Sequence, residues 1–145
     1  MKFKLSAVVA ASLLATGMAQ AATELVIATV NNGHMIEMQK LSKNFEQANP
    51  DIKLKWVTLE EGTLRQRVTT DIATKGGQFD VMTIGMYETP IWGKKGWLQE
   101  IKTDAAYDAD DLLPAMRNGL SVDGKMFAVP FYGESSMLMY RKDLA

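Results

Sequence analysis

A strand-like run, a stripe at helical spacing, then strand, stripe and strand again confine residues 24–84 to few folds. Glu24–Val30 is almost continuously apolar and ends at Asn31-Asn32-Gly33, a turn signal. Met35, Met38, Leu41, Phe45 and Ala48 then recur at helical steps, with Glu37, Lys40, Lys43 and Glu46 off the stripe. That spacing predicts a helix stopped by Asn49-Pro50, with the methionines as core filling. Ile52, Leu54 and Trp56 alternate with Lys53 and Lys55, the mark of a strand buried on one face and placed at an edge. Leu64, Val68 and Ile72 are spaced as a second helix, with Arg65, Arg67, Asp71 and Lys75 outside and Gly76-Gly77 as the stop. Phe79–Ile84 reads as a buried strand.

Right-handed crossovers make such a sheet parallel. The lysine-bearing strand belongs at the edge, so the expected architecture is α/β with spatial order second-first-third. Ligands in open α/β sheets sit beyond the carboxyl ends of the strands, where the order reverses. Here that point falls between the first and third strands, flanked by the loops Asn31–His34 and Met86–Trp92. The second loop offers Tyr87, Glu88 and Trp92 just after Gly85, with Pro90 expected to keep it irregular.

Further on, a short helix is expected after Trp92. Asp111 is placed to cap a helix over Leu112–Asn118, with Pro114 in its first turn. Asp123-Gly124 is the two-residue turn of a hairpin within Leu120–Val129. Pro130–Ser136 breaks the pattern, and Met137–Tyr140 reads as a further strand.

The first residues stand apart. Lys2 and Lys4, the uncharged apolar run Leu5–Met18 and Ala19-Gln20-Ala21 form a secretory signal peptide over residues 1–21, cleaved before Ala22. Its removal leaves 14 basic against 17 acidic residues, a charge of −3. No basic excess points to nucleic acid. The chain has no cysteine, hence no disulfide and no lipid attachment at the processing site. A free monomer in the bacterial periplasm is the expected state.

One histidine and no cysteine exclude the usual zinc spacings. Asp104, Asp108, Asp110 and Asp111 lack the glycine and glutamate of an EF-hand loop, and read as a solvated loop. Gly133-Glu134-Ser135-Ser136-Met137 half-matches a nucleophile elbow, but His34 lies far upstream and no glycine closes the motif. Phosphate-binding glycine loops are absent. Neither metal nor cofactor is expected. A carboxylate pair for glycoside cleavage, Glu88 with Glu134, stays open, because sequence does not give its separation. Binding chemistry fits more of the residues. Carboxylates and amides bridge neighbouring hydroxyls, while aromatic rings cover C–H faces. Asn31, Asn32, Tyr87, Glu88, Trp92, Tyr132 and Glu134 supply that mixture at strand ends and chain breaks.

Several stretches resemble the extracellular solute-binding proteins of family 1, which deliver sugars to ABC importers. They are Leu25–Gly33, Phe45-Glu46 with Asn49–Leu54, Gly77–Val81, Asp123–Pro130 and Tyr140–Leu144. Asn31–Gly33, Leu64–Gly77 and Pro130–Met137 are similar to the sorbitol/mannitol-binding, polyol branch. The resemblance implies a two-lobed, type II periplasmic-binding fold that closes on its ligand by a hinge, without catalysis. It implies that residues 22–134 form the first lobe and residues 135–145 begin a second that is largely missing here. It also implies a membrane permease as partner and ligand contacts at Asn31, Asn32, Tyr87, Glu88, Tyr132 and Glu134. His34 departs from the acidic residue expected at its position. A sensor domain for a membrane kinase shares this fold, but no such partner region exists in the chain.

Overall fold

The computed structural model describes residues 22–144. The signal-peptide reading therefore lies outside the described residues. Strand β1 (Thr23–Val30) sits at the centre of a parallel sheet of order β2-β1-β3, as the alternation of strand and helix signals predicts. β2 (Ile52–Leu59) pairs with it along its whole length, from Thr23 opposite Ile52 to Val30 opposite Leu59. Helices α1 (Gly33–Ala48) and α2 (Glu61–Thr74) make the crossovers. Among the described residues no helix is long and apolar enough to cross a membrane.

The core lies between β1, α2 and the segment after the third strand. Ala28, Leu64, Val68, Phe79 and Trp92 form one buried cluster, with Ile72, Met82 and Ile84 packed against it. The α2 stripe of Leu64, Val68 and Ile72 faces the sheet as its spacing requires. Asp71, read as an outward residue, is instead buried. Its carboxylate accepts from the Gln78 N–H at 3.0 and 3.1 Å, which satisfies a charge that burial would otherwise penalise. The helix ends one residue before the glycines, with Lys75 in the left-handed region (φ 56°). Gly76 follows because a Cβ there would lie 2.3 Å from Asp71 Oδ1.

Helix α1 departs from its expected face. Met35 is buried, but Leu41 and Phe45 are exposed. The side toward β2 carries Gln39, Ser42 and Glu46 instead. Ser42 Oγ accepts from the Trp56 indole N–H at 2.8 Å, and Glu46 Oε1 from the Leu54 N–H at 2.8 Å. An edge strand presents unpaired N–H groups, and hydrogen bonding to that edge orients the helix more strongly than its apolar stripe does.

The third strand is shorter than its apolar run. β3 covers only Val81–Met82, opposite Ile27 and Ala28. Asp80 takes the Val26 N–H on its side chain at 2.8 Å, replacing a backbone partner where the run begins. Met86–Trp92 is not an irregular loop. Helix α3 spans Glu88–Lys94. Pro90 falls in its first turn, where a missing N–H costs no intrahelical bond.

Two 3-10 turns follow, Ala105–Tyr107 and Ala109–Asp111, the first capped by Asp104. The acidic residues here are exposed, and among the described residues no cluster could hold a metal ion. Asp111 ends its 3-10 turn and does not cap α4 (Pro114–Gly119), which opens on proline after Leu113 without a side-chain cap. The hairpin forms as expected. β4 (Ser121–Val122) pairs with β5 (Lys125–Met126), and Asp123 and Gly124 both take positive φ (51° and 77°). No strand forms at Met137–Tyr140. That segment pairs with neither sheet and leaves Leu138 and Met139 exposed, and a strand without a partner edge gains no ladder bonds.

Candidate functional site

A groove of about 1490 Å³ extends from Lys75, Gly77 and Phe79, on the amino side of β3, to Asn31, Asn32 and Glu88 beyond the carboxyl ends of β1 and β3. The latter end is the switch point of the strand order, and each wall has a separate origin. Asn31 and Asn32 leave β1 and enter α1. Thr83 leaves β3, its hydroxyl 2.8 Å from that of buried Thr29 at the groove floor. Arg65 reaches in from α2, Glu88 and Trp92 from α3, and Tyr132 and Glu134 from the segment after the hairpin.

Asn32 is the N-cap of α1. Its backbone is extended and its Oδ1 accepts from the Met35 N–H at 2.9 Å, satisfying a donor that the first helical turn leaves free. The same oxygen accepts from the Tyr132 hydroxyl at 3.3 Å, joining residues 100 positions apart. The Tyr132 ring is held edge-on by His34, with centroids 5.5 Å apart, and by Phe131, at 4.7 Å. Sequence reasoning left His34 without a role; here it braces a groove residue.

Glu88 plays a different part. Its Oε1 accepts from Arg65 at 2.7 Å and its Oε2 from the Gly85 N–H at 3.2 Å, and its side chain is only 10% exposed. The carboxylate closes the turn out of β3 and ties α3 to α2. Gly85 allows this approach, since a Cβ there would lie 2.9 Å from Oε2.

The structure thus brings Asn31, Asn32, Glu88, Trp92, Tyr132 and Glu134 to one groove and leaves Tyr87 out of it. Tyr87 stands 75% exposed before α3 and points its phenol to solvent. Trp92 is 6% exposed and belongs to the core, so its indole supports the wall from behind more than it faces a ligand. Glu134 is exposed at the rim and makes no hydrogen bond or ion pair with any described residue. Arg65 and Thr83 were missed as groove residues. Arg65 carried the signature of a solvated helix face, and Thr83 that of one more strand residue. A hydroxyl at the end of an otherwise apolar run was the available signal for Thr83.

Comparison with known proteins adds three observations. A family model described as bacterial extracellular solute-binding protein matches residues 32–145. A mannitol-binding protein of Pseudomonas aeruginosa is 59% identical over 146 residues, covering 99% of this chain and 34% of that protein. A crystal structure of an ABC transporter solute-binding protein from Agrobacterium vitis S4 with bound D-mannitol is 66% identical. It superposes with a TM-score of 0.75 over 85% of this chain and 30% of that one. A second, from Agrobacterium radiobacter K84 in complex with ribitol, is 26% identical, with a TM-score of 0.67 over 77% of this chain and 29% of its own. The chain spans about a third or less of the length of the curated relatives it matches.

Proposed function

This chain belongs to the bacterial extracellular solute-binding proteins, and we propose that it builds one wall of a site for a linear polyol. The ligand would be held without covalent chemistry and passed to the membrane permease of an ABC importer in the periplasm. The parallel β2-β1-β3 sheet is that of the type II periplasmic-binding fold. Within it, residues 22–134 form the first lobe, and residues 135–144 begin the passage to a second lobe that would close over the groove by a hinge. Closure selects a liganded form, and that form is what a permease would recognise.

The observation that carries this reading is the Asn32–Tyr132 hydrogen bond. It joins the loop after the first strand to the crossing segment at the switch point, where a hydroxyl-rich ligand would meet both. Glu134, two residues on from Tyr132, lines the same groove and brings a carboxylate to it. Sugar alcohols are the favoured class because the relatives that bind mannitol and ribitol are similar over most of this chain. Asn31, Asn32, Tyr132 and Glu134 are the expected contacts. Glu88 and Trp92 hold the wall, and Tyr87 lies at its margin.

A secreted carbohydrate-active enzyme using Glu88 and Glu134 is the weaker reading. Glu88 is held by Arg65 and the Gly85 N–H, contacts that tie α3 to α2 and close the turn out of β3. Titration calorimetry on the complete gene product with sorbitol, mannitol, arabitol and maltose tests the proposal. Stoichiometric binding of a linear polyol with no product formed is expected. No heat with any of the four would reject it.

A further inference from the structure

Asn32 carries one carbonyl oxygen and one amino group, and the structure fixes which is which. The Met35 N–H can only donate, so the atom 2.9 Å from it is the oxygen. That oxygen has two lone pairs, and the second accepts from Tyr132 at 3.3 Å. The tyrosine must be the donor, because an amide oxygen cannot give a proton. Each side chain therefore has one polarity left. Asn32 Nδ2, which makes no hydrogen bond with any described residue, offers only donors. While it donates to Asn32, Tyr132 Oη offers the groove only lone pairs. Both line the groove. Glu134, two residues on from Tyr132, also lines the groove and adds a carboxylate acceptor.

We propose that the Asn32–Tyr132 pair is locked in polarity and selects ligands by hydrogen-bond direction. This rests on the polyol-binding reading above and names its discrimination. A ligand hydroxyl accepts from Asn32 Nδ2, and the same or a neighbouring hydroxyl donates to Tyr132 Oη or Glu134. A free alcohol does both. A carbonyl oxygen accepts but cannot donate, so it leaves Tyr132 Oη and Glu134 facing lone pairs. A sugar acid adds charge repulsion from Glu134. The groove is thus built for reduced, neutral sugar alcohols against their oxidised counterparts. Selectivity of this kind is large because an unmatched polar group in a closed site loses its water without replacement.

Asn32→Asp separates this role from the cap. Aspartate keeps both acceptor functions, toward Met35 N–H and Tyr132, and suits a helix N-terminus. In the groove it replaces the Nδ2 donor with a carboxylate oxygen, reversing the hydrogen-bond direction offered there. On the complete gene product, Asn32→Asp should melt at or above the wild-type temperature, while Asn32→Leu melts lower. Its affinity for D-mannitol should fall about tenfold or more. Unchanged affinity would overturn the lock. The mono-deoxyfluoro mannitols probe the other half, since fluorine replaces a hydroxyl without donating. At least one should bind wild type about tenfold more weakly than mannitol, and that gap should narrow in Tyr132→Phe. An equal gap in both proteins for every analogue also overturns the lock. If wild type binds no polyol, the functional reading fails, and the lock, which rests on it, is overturned with it.

Discussion

The Arg65 guanidinium donates to the Glu88 carboxylate at 2.7 Å and fastens α2 to the first turn of α3. The partners are unequally placed, since Arg65 is 57% exposed and Glu88 only 10%. The cost of breaking the pair therefore falls on Glu88. Replacing Arg65 with alanine leaves a nearly buried carboxylate with only the Gly85 N–H as partner. Arg65→Ala should destabilise by about 1–3 kcal/mol, read as a lowered urea midpoint. Glu88→Gln keeps an acceptor for Gly85 and should cost less than Arg65→Ala. If both variants unfold like wild type, the bridge contributes nothing to the wall.

Gly76 and Asp71 make a second prediction, based on space. Alanine at Gly76 would put a methyl 2.3 Å from Asp71 Oδ1 and push the carboxylate off the Gln78 N–H. Gly76→Ala should cost about 1–3 kcal/mol. The penalty should not add to that of Asp71→Ala, because the alanine at position 71 vacates the contested space. A urea double-mutant cycle measures the coupling. Additive losses would mean that the clash is relieved elsewhere.

Glu46 makes stability depend on pH. The Leu54 N–H holds its carboxyl below the usual glutamate range; desolvation is the next largest influence and opposes it, and Lys53 adds weaker lowering effects. The folded state thus favours the ionised form more than the unfolded chain does. Its contribution is present in full above the ordinary glutamate range and is lost as pH falls through the depressed folded value. Glu46→Gln should melt below wild type near neutral pH, and the difference should shrink in acid. A difference constant with pH would show that the bond to Leu54 does not depend on the charge.

Much of this arrangement was legible in the residues because it follows from period and punctuation. The β2-β1-β3 order came from lysines 53 and 55 alternating with apolar residues, and the hairpin from Asp123-Gly124. What escaped were partners distant in sequence. Leu41 and Phe45 looked like core because nothing local announces that the Trp56 indole and the Leu54 N–H would draw Ser42 and Glu46 inward. Tyr87 and Trp92 looked like ligand platforms because Pro90 reads as a break, and a first-turn proline breaks nothing. Met137–Tyr140 has strand composition without an edge to pair with. At the site, the loop after β1 and the crossing segment were expected to meet, and Asn32 and Tyr132 do so, whereas Tyr87, expected in the same wall, stands outside it. The burial of Glu88 beneath Arg65 depends on the relative placement of two helices, which no local pattern encodes.

Glu134 supplies the sharpest separation of binding from folding. Its side chain is exposed at the groove rim and has no hydrogen-bond partner among the described residues. Removing it takes away no hydrogen bond or ion pair among the described residues. Glu134→Ala should leave the melting curve within about 0.5 kcal/mol of wild type. In a closed complex the carboxylate would accept from ligand hydroxyls, and hydrogen bonds to a charged group are worth about 1.5–3 kcal/mol each. That converts to a loss of about 10- to 150-fold in polyol affinity. Glu134→Gln should lose less, because its carbonyl still accepts while its amino group meets the hydroxyl in the wrong direction. Calorimetry and thermal melts on the same preparations decide the point. A Glu134→Ala protein that binds mannitol as tightly as wild type would move the ligand off the crossing segment.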